Sequence, residues 1–466
     1  MDESNQQPRV TGGRVARVAP LVGMAGRTAG EAVAASLRKR RNPDVDLTDF
    51  HTVQARRYAE RLGRSRGVLM KAGQMLSFIP LDPAVETPYR GIYQAAFARL
   101  QDDAPPMPPQ LAVDTITAEL GRAPSVLFAD FDAHPLAAAS IGQVHAATLH
   151  DGRRVAVKVQ YPGVEQAIRA DLKNTELLAT FFQLVFTVTP GFSRINVREM
   201  AREVSERIGE EIDYRVEAAH QQRFADSYEG HPFIHVPQVL PELSARRVLT
   251  MELVEGLRYA KALSAEQSLR DRWGEAVFRF HWASLLQGGL FNADPHPGNY
   301  LFHPDGSVTF LDFGCVKRFT PDQKTRLAEY ADALVAQDAQ RFLHASIGIG
   351  MFDPSDPPEA EALLALFNIF EPAYIAAQPF TYTPQVVAEA LRHGASLRGP
   401  FGPIARKLTG GGEYTFVSRV ESGITSVLGG LCATGHWRAI REEYGCGAPP
   451  ATEYGAAEAA YRQADR

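Results

Sequence analysis

The sequence has little cysteine and no long apolar run, and each shortage excludes a class of protein. Only three cysteines occur in 466 residues, which is too few for a disulfide framework and fits no paired-cysteine zinc site. No run reaches the roughly 18 apolar residues that a membrane-spanning helix needs. The best candidate, Val18 to Leu37, is interrupted by a proline and charged residues. Because no stretch resembles a cleavable signal peptide either, a reducing cytosol is the predicted compartment.

Charge is distributed unevenly along a chain of otherwise ordinary composition. Apolar residues make up 45% and charged residues 22%, and at this length two or more compact units are expected. Residues 1–71 carry fourteen Lys and Arg against seven Asp and Glu, although the whole chain has a net charge of −5. Such a basic arm can contact anionic lipid or nucleic acid, or can be a solvated helix face. Of these we predict peripheral contact with anionic lipid, and we expect no nucleic-acid partner.

Periodicity and composition divide the sequence into five segments. Alternating apolar residues predict strands in the middle of the chain, and three- to four-residue apolar spacing predicts helices on either side. The predicted segments are a flexible basic arm with an amphipathic helix at 1–46, a helical extension at 47–109, a strand-rich lobe at 110–255, a helical lobe at 256–444 and a flexible tail at 445–466.

The strand-rich lobe contains an unusual loop between strands. The stretch AAASIGQVHAA, Ala137 to Ala147, predicts a strand, a tight loop and a second strand, but it holds three alanines where phosphate-binding loops carry glycines. A hairpin turn follows at His150-Asp151-Gly152, since glycine tolerates φ > 0. Further along, the pattern predicts one continuous helix over Val197 to Ser227 and a strand over Arg246 to Gly256.

Three stretches carry the side chains that phosphoryl transfer needs. Lys158 follows three core-type residues in VAVKV, and a lysine in such a strand needs an anionic partner, either phosphate or carboxylate. Asp294 and Asn299 share the loop DPHPGN, which supplies a carboxylate for the nucleophile and an oxygen ligand for Mg²⁺. Asp312 begins the Asp-Phe-Gly of LDFG. Each stretch alone is weak evidence for phosphoryl transfer, but the three occur in the order that is typical of protein kinases.

On these and further motifs the sequence resembles the UbiB/AarF family of atypical kinase-like proteins, over roughly residues 47–319. KAGQ (Lys71 to Gln74) matches the K-x-G-Q signature of the family, and AAASIGQVH matches its alanine-rich replacement for the glycine-rich loop. EEIDYRVEA (Glu210 to Ala218) and NADPHPGN match its acidic helix and catalytic loop. Asn292 stands where the family often has a histidine.

The resemblance implies an α+β, bilobal protein-kinase-like fold with a helical N-terminal extension, and a site for ATP and Mg²⁺. It implies that Lys158 holds the α- and β-phosphates and pairs with a carboxylate, with Glu217 chosen over the alternative Glu211. The remaining expected site residues are Asp294, Lys71 and Gln74 in catalysis, Ala138, Ala139, Ser140, Gly142, Asp213 and Glu252 around the nucleotide, and Asn299 and Asp312 at the metal.

The implied function is that of an atypical kinase or ATPase linked to ubiquinone or other isoprenoid-lipid metabolism. Two alternatives stay open, which are a small-molecule kinase of the aminoglycoside or choline type and a non-catalytic scaffold that binds nucleotide and lipid. Expected partners are the nucleotide and an isoprenoid lipid or quinone precursor, and a homodimer is an open option. The predicted location is the cytoplasm, including the inner face of the membrane.

Overall fold

The computed structural model describes residues 52–53, 107–139, 141–172, 209, 212–394, 400–409, 414–445 and 447–464. The chain divides into two compact units, one comprising Met1–Ala147 with Val157–Ile212 and the other Thr148–Ala156 with Asp213–Arg466. The lobe boundary predicted at residue 255, like the other predicted segment boundaries, stays a prediction.

The described part of the first unit is a small body of helices and strands. Its strands follow the order β1-β2-β3, and the helix predicted over 110–120 is confirmed as α1, which ends at Gly121 in the left-handed conformation. The elements are α1 Pro109–Leu120, α2 Pro124–Leu127, β1 Asp130–Ala139, β2 Gly142–Thr148, β3 Arg154–Gln160 and α3 Val164–Leu172.

The predicted hairpin between β2 and β3 is confirmed. The amide of Leu149 donates to the carbonyl of Arg153 at 2.8 Å, and the amide of Gly152 donates to the carbonyl of Leu149 at 3.0 Å. Gly152 has φ +87°, a conformation that strains any residue with a Cβ. This glycine therefore explains why the chain can reverse here between β2 and β3.

The first part of the second unit alternates helices with short strands. In one sheet the order is β4-β8-β7, while β6 pairs antiparallel with β9. The elements are α4 Tyr214–Ser227, β4 Ile234–His235, β5 Val248–Glu252, α5 Tyr259–Ala262, α6 Gln267–Ala283, β6 Leu290–Asn292, β7 Tyr300–Phe302, β8 Val308–Phe310 and β9 Val316–Arg318, with a π-helical turn at Ser284–Gly288.

The remainder of the second unit is mainly helical, as the sequence predicts. A capping box formed by Thr320 and Gln323 starts the first of these helices directly after β9. The elements are α7 Pro321–Val335, α8 Ala339–Gly348, α9 Ala360–Phe370, α10 Pro372–Ile375, β10 Phe380–Thr381, α11 Pro384–Gly394, α12 Gly402–Ala405, α13 Tyr414–Leu431, β11 Thr434–Gly435, α14 Trp437–Gly445 and α15 Glu453–Ala464.

Helix α6 is the centre of the second unit's core. Every residue from Ala276 to Ala283 is buried, as expected of a helix surrounded by other elements on all sides. The ring of Phe280 stacks on that of Phe310 in β8, with centroids 3.7 Å apart. Since burying one such aromatic side chain stabilises the fold by about 2–3 kcal/mol, this packing fixes β8 and the residues that follow it.

Two predictions differ from the structure. The helix predicted over 197–227 does not run through Asp213, because that residue has extended backbone angles and α4 begins only at Tyr214. The tail predicted to be flexible from residue 445 instead contains helix α15, in which Tyr454 and Glu458 are buried. The Ala- and Glu-rich composition is a helix-forming one, and buried partners hold it in place.

Candidate active site

Two strand pairings bring the DPHPGN loop and the LDFG turn side by side. Asn292 at the end of β6 lies opposite Val316 in β9, and Tyr300 at the start of β7 lies opposite Phe310 at the end of β8. The amide of Leu311 also donates to the carbonyl of Asn299 at 3.0 Å. The loop and the turn are therefore held to each other by backbone bonds on both sides.

The side chains of Asp294 and Asn299 are hydrogen-bonded to each other across their loop. The Nδ2 of Asn299 donates to Oδ2 of Asp294 at 3.1 Å, and the amide of His296 donates to the carbonyl of Asp294 at 2.8 Å. Because an ionised carboxylate only accepts hydrogen bonds, the nitrogen of Asn299 must face Asp294. The amide oxygen of Asn299 is then the atom that can coordinate a hard cation.

Asp312 is held by the turn that it begins. Its Oδ1 accepts a hydrogen bond from the amide of Gly314 at 2.8 Å. The next side chain, Phe313, is fully buried, and its ring lies 4.8 Å from that of Phe224 on α4. The Nδ1 of His220, on the same helix, donates to the carbonyl of Phe313 at 3.4 Å. Helix α4 thus packs directly on the Asp-Phe-Gly turn.

Asn292 joins the loop to the turn, a role that sequence reasoning missed. Its Nδ2 donates to the carbonyl of Asp312 at 2.9 Å, and its Oδ1 accepts from the amide of Asp294 at 3.0 Å. The side chain is buried, so both bonds are shielded from water. Asparagine supplies a donor and an acceptor here, and this residue therefore stabilises the loop in the position where the family often has histidine.

His296 is a second residue that the sequence analysis did not single out. Its Nδ1 accepts a hydrogen bond from the amide of Gly298 at 3.0 Å, which fixes the ring orientation and makes Nε2 the protonated nitrogen of the neutral form. A Cβ on Gly298 would lie only 2.9 Å from Nδ1. The glycine of DPHPGN therefore provides the space in which this imidazole turns back over the loop.

A buried pair of uncharged side chains adjoins the end of the loop. The Nε2 of His281 and the hydroxyl of Tyr300 are 3.0 Å apart and both side chains are buried. Burial lowers the pKa of His281 to about 3 and raises the pKa of Tyr300 well above its usual value. The pair therefore stays neutral at physiological pH and adds no charge beneath Asp294.

The acidic candidates of the second unit have different surroundings. Glu217 is buried in the first turn of α4. Asp213 is the N-cap of that helix, since its carboxylate accepts from the amide of Arg215 at 3.1 Å, and its hydrogen bonds with the Arg215 side chain lower its pKa. Glu252, at the end of β5, bonds His235 at 3.1 Å, which lowers the pKa of Glu252. Among the three, only Glu217 is a buried carboxylate.

Lys158 lies in the first unit, in a strand that is almost wholly buried. Val157 and Val159 on either side of it are fully buried, and Lys158 itself is partly exposed. Ala138 and Ala139 end strand β1 and Gly142 begins β2, so the predicted loop is shorter than the alanine-rich motif. The pairing of Lys158 with a carboxylate stays a prediction.

The rest of the alanine-rich motif forms a buried polar chain. Gln143 accepts from the amide of Met107 at 2.9 Å, and its Nε2 lies 2.9 Å from Nε2 of His145. Burial lowers the pKa of His145, so the ring is neutral and its Nδ1 donates to the carbonyl of Asp132 at 2.9 Å. This chain ties β2 to β1 and to Met107, two residues before α1.

Four candidates, Lys71, Gln74, Ser140 and Glu211, lie outside the described residues, as do the basic arm and nearly all of the helical extension. Within the described residues, the structure brings together Asp294, Asn299 and Asp312. Their donor set consists of carboxylate and amide oxygens, which suits Mg²⁺, an ion usually bound by one or two carboxylates together with substrate phosphates.

Comparisons with known proteins identify the group of kinase-like proteins to which the chain is similar. Residues 99–346 match the family model described as the ABC1 atypical kinase-like domain. The chain is 34% identical over 260 residues to Protein ACTIVITY OF BC1 COMPLEX KINASE 7, chloroplastic, from Arabidopsis thaliana, with 55% of this chain and 37% of that protein covered. It is 31% identical over 353 residues to Atypical kinase COQ8B, mitochondrial, from Rattus norvegicus, with 74% and 65% covered.

Coverage of these relatives is partial. The chain spans 37% to 47% of the length of the Arabidopsis and Synechocystis proteins that it matches. A solved structure described as the complex of Rv3197 with erythromycin from Mycobacterium tuberculosis has a TM-score of 0.59 at 28% identity, with 89% of this chain and 98% of that chain covered. The α+β, protein-kinase-like fold is therefore confirmed.

None of the helices in the described ranges is both long and apolar enough to cross a membrane. The family match covers more than half of the sequence, and the relatives include the mitochondrial and chloroplast kinases of the same group. The chain belongs to the ABC1 atypical kinase-like family, the UbiB family that its motifs resemble.

Proposed function

We propose that this protein binds ATP with Mg²⁺ and transfers the γ-phosphoryl group, chiefly to water, as an atypical kinase or ATPase of the UbiB type. The observation that carries the proposal is the bonded set Asp294, Asn299 and Asp312, joined through Asn292. Family membership supports kinase-like chemistry at a coarse level, and the arrangement of these side chains supports the finer assignment.

Each residue of the set has a distinct role in this proposal. Asn299, through its amide oxygen, and Asp312 hold Mg²⁺, which when bound neutralises charge on the β- and γ-phosphate oxygens. Lys158 holds the α- and β-phosphates, and Glu217 is its proposed partner. Asp294 orients the nucleophile, and its bond to Asn299 fixes the direction in which the second carboxylate oxygen points.

The proposed reaction is an in-line displacement at the γ-phosphorus. The oxygen of a water molecule forms a bond to phosphorus while the bond to the β,γ-bridging oxygen breaks, and ADP leaves. Asp294 accepts a hydrogen bond from the attacking water, and the proton that the water loses passes to solvent. When a hydroxyl group takes the place of water, the same steps describe a kinase.

A link to ubiquinone or another isoprenoid lipid is part of the proposal. It is supported by the resemblance of the motifs to the UbiB family and by the similarity to COQ8B, and the lipid itself is a proposed ligand. Location in the cytoplasm, peripheral contact with a membrane through residues 1–41, and a homodimer are further proposals. Sedimentation with anionic vesicles tests the contact, which is refuted if deleting residues 1–41 has no effect on binding.

ATP turnover by the wild type and by Asp294→Asn tests the proposed reaction. Asparagine has nearly the same shape and can still accept the hydrogen bond from Asn299, so the loop keeps its structure. We expect turnover to fall at least a hundredfold while nucleotide binding stays within threefold. Equal turnover in both proteins, with or without anionic liposomes, refutes this assignment and favours the non-catalytic scaffold.

The small-molecule kinase is the other alternative, and the acceptor separates it from the proposal. A screen of small alcohols and aminoglycosides measures phosphorylated product against free phosphate. We expect free phosphate to dominate. Transfer to a small alcohol far faster than to water would favour the aminoglycoside or choline type instead.

A further inference from the structure

Helix α15 is fixed to the core of the second unit by a buried network of charges. The carboxylate of Glu458 accepts from the hydroxyl of Tyr444 at 2.6 Å and from Nη1 of Arg279 at 3.2 Å. Arg279 lies on α6 and its side chain is fully buried, with Glu275 and Glu443 as further partners. A buried arginine hydrogen-bonded to several elements is a rigid anchor, since removing the arginine would leave buried carboxylates without their shared counter-charge.

From this anchor, α15 reaches the far end of helix α4. The hydroxyl of Tyr461 donates to the carbonyl of Glu229 at 2.9 Å and approaches that of Ser227 at 3.3 Å. Its ring also meets the imidazole of His231 edge-on, with centroids 4.9 Å apart. Ser227 is the last residue of α4, so these contacts hold the end of that helix and the turn that follows it.

The same helix also holds the entrance to strand β8. The ring of Tyr454 stacks on that of Phe233, with centroids 4.1 Å apart and planes at 4°. Its hydroxyl donates to the carbonyl of Gly306 at 2.9 Å. Gly306 precedes β8, whose strand partner β4 begins directly after Phe233, and β8 leads to Asp312.

Helix α4 and strand β8 are the two elements that lead to the proposed site in the second unit. Helix α4 carries Glu217 near its start, and it contacts the Asp-Phe-Gly turn through Phe224 and His220. Helix α15 therefore touches the end of α4 and the start of β8, both remote from the reacting groups, and fixes the two elements relative to the same anchor.

We infer that α15 is a brace that holds α4 against the Asp312 turn, with Tyr461 as a positioning residue for the proposed reaction. The inference rests on the proposed function, since Tyr461 acts through Glu217 and Phe313 and touches no reacting group. When the Tyr461 contact is lost, the end of α4 becomes more mobile. The buried carboxylate of Glu217, on the same helix, is then positioned less firmly. Affinity for Mg·ATP then falls while the catalytic loop itself is unchanged.

The test compares Tyr461→Phe with Tyr259→Phe. Each change removes one hydroxyl that donates to a backbone carbonyl at about the same distance, 2.9 Å to Glu229 and 3.0 Å to Val427. The second bond lies between α5 and α13. We expect Tyr461→Phe to raise the KM for Mg·ATP about threefold to tenfold with kcat within twofold, and Tyr259→Phe to leave the KM within 1.5-fold of the wild type.

A second readout needs no nucleotide. Amide hydrogen exchange in 220–229 should be at least threefold faster in Tyr461→Phe, and faster still in Tyr461→Ala, which also loses the ring contact. Unchanged exchange in both Tyr461 variants overturns the brace, and so does an unchanged KM in both. Wild-type protein that neither binds nor turns over Mg·ATP refutes the proposed function instead, and the exchange measurement then decides on the brace alone.

Discussion

Gly423, on helix α13, lies against the catalytic loop and offers a sharp perturbation of it. A Cβ at this position would lie 2.2 Å from Cγ and 3.0 Å from Cβ of Pro295, and 3.4 Å from its carbonyl oxygen. Pro295 directly follows Asp294 and is buried. Gly423→Ala therefore forces the proline, and the loop that carries Asp294, to move away from α13.

The size of the effect follows from the overlap. Non-bonded carbon atoms prefer a separation of about 3.5–4.0 Å, so the proline ring or the helix must shift by about 1 Å or more. Overpacking of this kind costs about 1–3 kcal/mol, and the better helix propensity of alanine offsets about 1 kcal/mol of it. A displacement of about 1 Å in a catalytic group can cost roughly a hundredfold in rate. We therefore expect kcat to fall about tenfold to a hundredfold, with modest destabilisation.

The same helix offers a matched control. A Cβ on Gly429 would lie 2.4 Å from Cγ2 of Val387 on α11 and 3.4 Å from the carbonyl oxygen of Thr383, so Gly429→Ala overpacks α13 to a similar degree away from the loop. Steady-state ATP turnover and thermal denaturation are measured for both variants. A wild-type kcat in Gly423→Ala, or an equal loss of kcat in both variants, would show that the contact between Gly423 and Pro295 does not position Asp294.

Three other changes test separate features. Asn292→Ala removes the two side-chain hydrogen bonds that Asn292 makes, one to the loop and one to the turn, and we expect about 2 kcal/mol less stability in urea and at least tenfold slower ATP turnover, with Asn292→His less affected. Ala139→Gly frees the backbone at the end of β1, and we expect a changed ATP affinity or ATP/ADP preference in titration calorimetry, without unfolding. Burial alone would raise the pKa of Glu458, but neighbouring His231, Arg462, Tyr444 and Arg279 hold it at about 2. We expect Glu458→Gln to cost about 3 kcal/mol at pH 7.

The direction of the pKa shift of Glu458 determines how the effect of Glu458→Gln on stability depends on pH. The pKa of Glu458 is lower in the folded protein than its usual 4.5, so its contribution is complete above about pH 4.5 and is lost as the pH falls towards 2. The gap in unfolding free energy between wild type and Glu458→Gln should narrow over that interval, and a constant gap contradicts the charge network. ATP turnover at the wild-type rate in Asn292→Ala would contradict the role given to Asn292. Unchanged affinity for both ATP and ADP in Ala139→Gly would contradict the role given to the end of β1.

The features that the sequence predicted well are those specified by local pattern. The turn at Gly152 and the buried strand around Lys158 follow from residue types next to each other in the chain. The spacing from Asp294 to Asn299 and to Asp312 fits a loop, a short hairpin and a turn, and strand pairing accounts for their proximity. The structure of these stretches could be predicted because each contains its own turn or strand signal.

The features that it missed depend on partners distant in sequence. The bridging role of Asn292 needs the backbone of Asp312, which only the fold brings within reach. Helix α15 has a helix-forming composition, but its sequence gives no sign that it docks on the core, because its burial depends on Arg279, far away in the chain. The break before Tyr214 was within reach, because an aspartate at position 213 ahead of a helical pattern is a strong N-cap signal.

The most direct test of the proposed function is nucleotide-dependent thermal stabilisation of Asp312→Asn in the presence and absence of Mg²⁺. Asparagine can still accept the hydrogen bond from Gly314, so the melting temperature without nucleotide should match that of the wild type. At a nucleotide concentration of 100 times Kd, binding stabilises the wild type by about 2.7 kcal/mol. We expect this Mg²⁺-dependent increment in the wild type and none in Asp312→Asn, and an equal increment in both proteins would contradict the assignment of Asp312 to the metal.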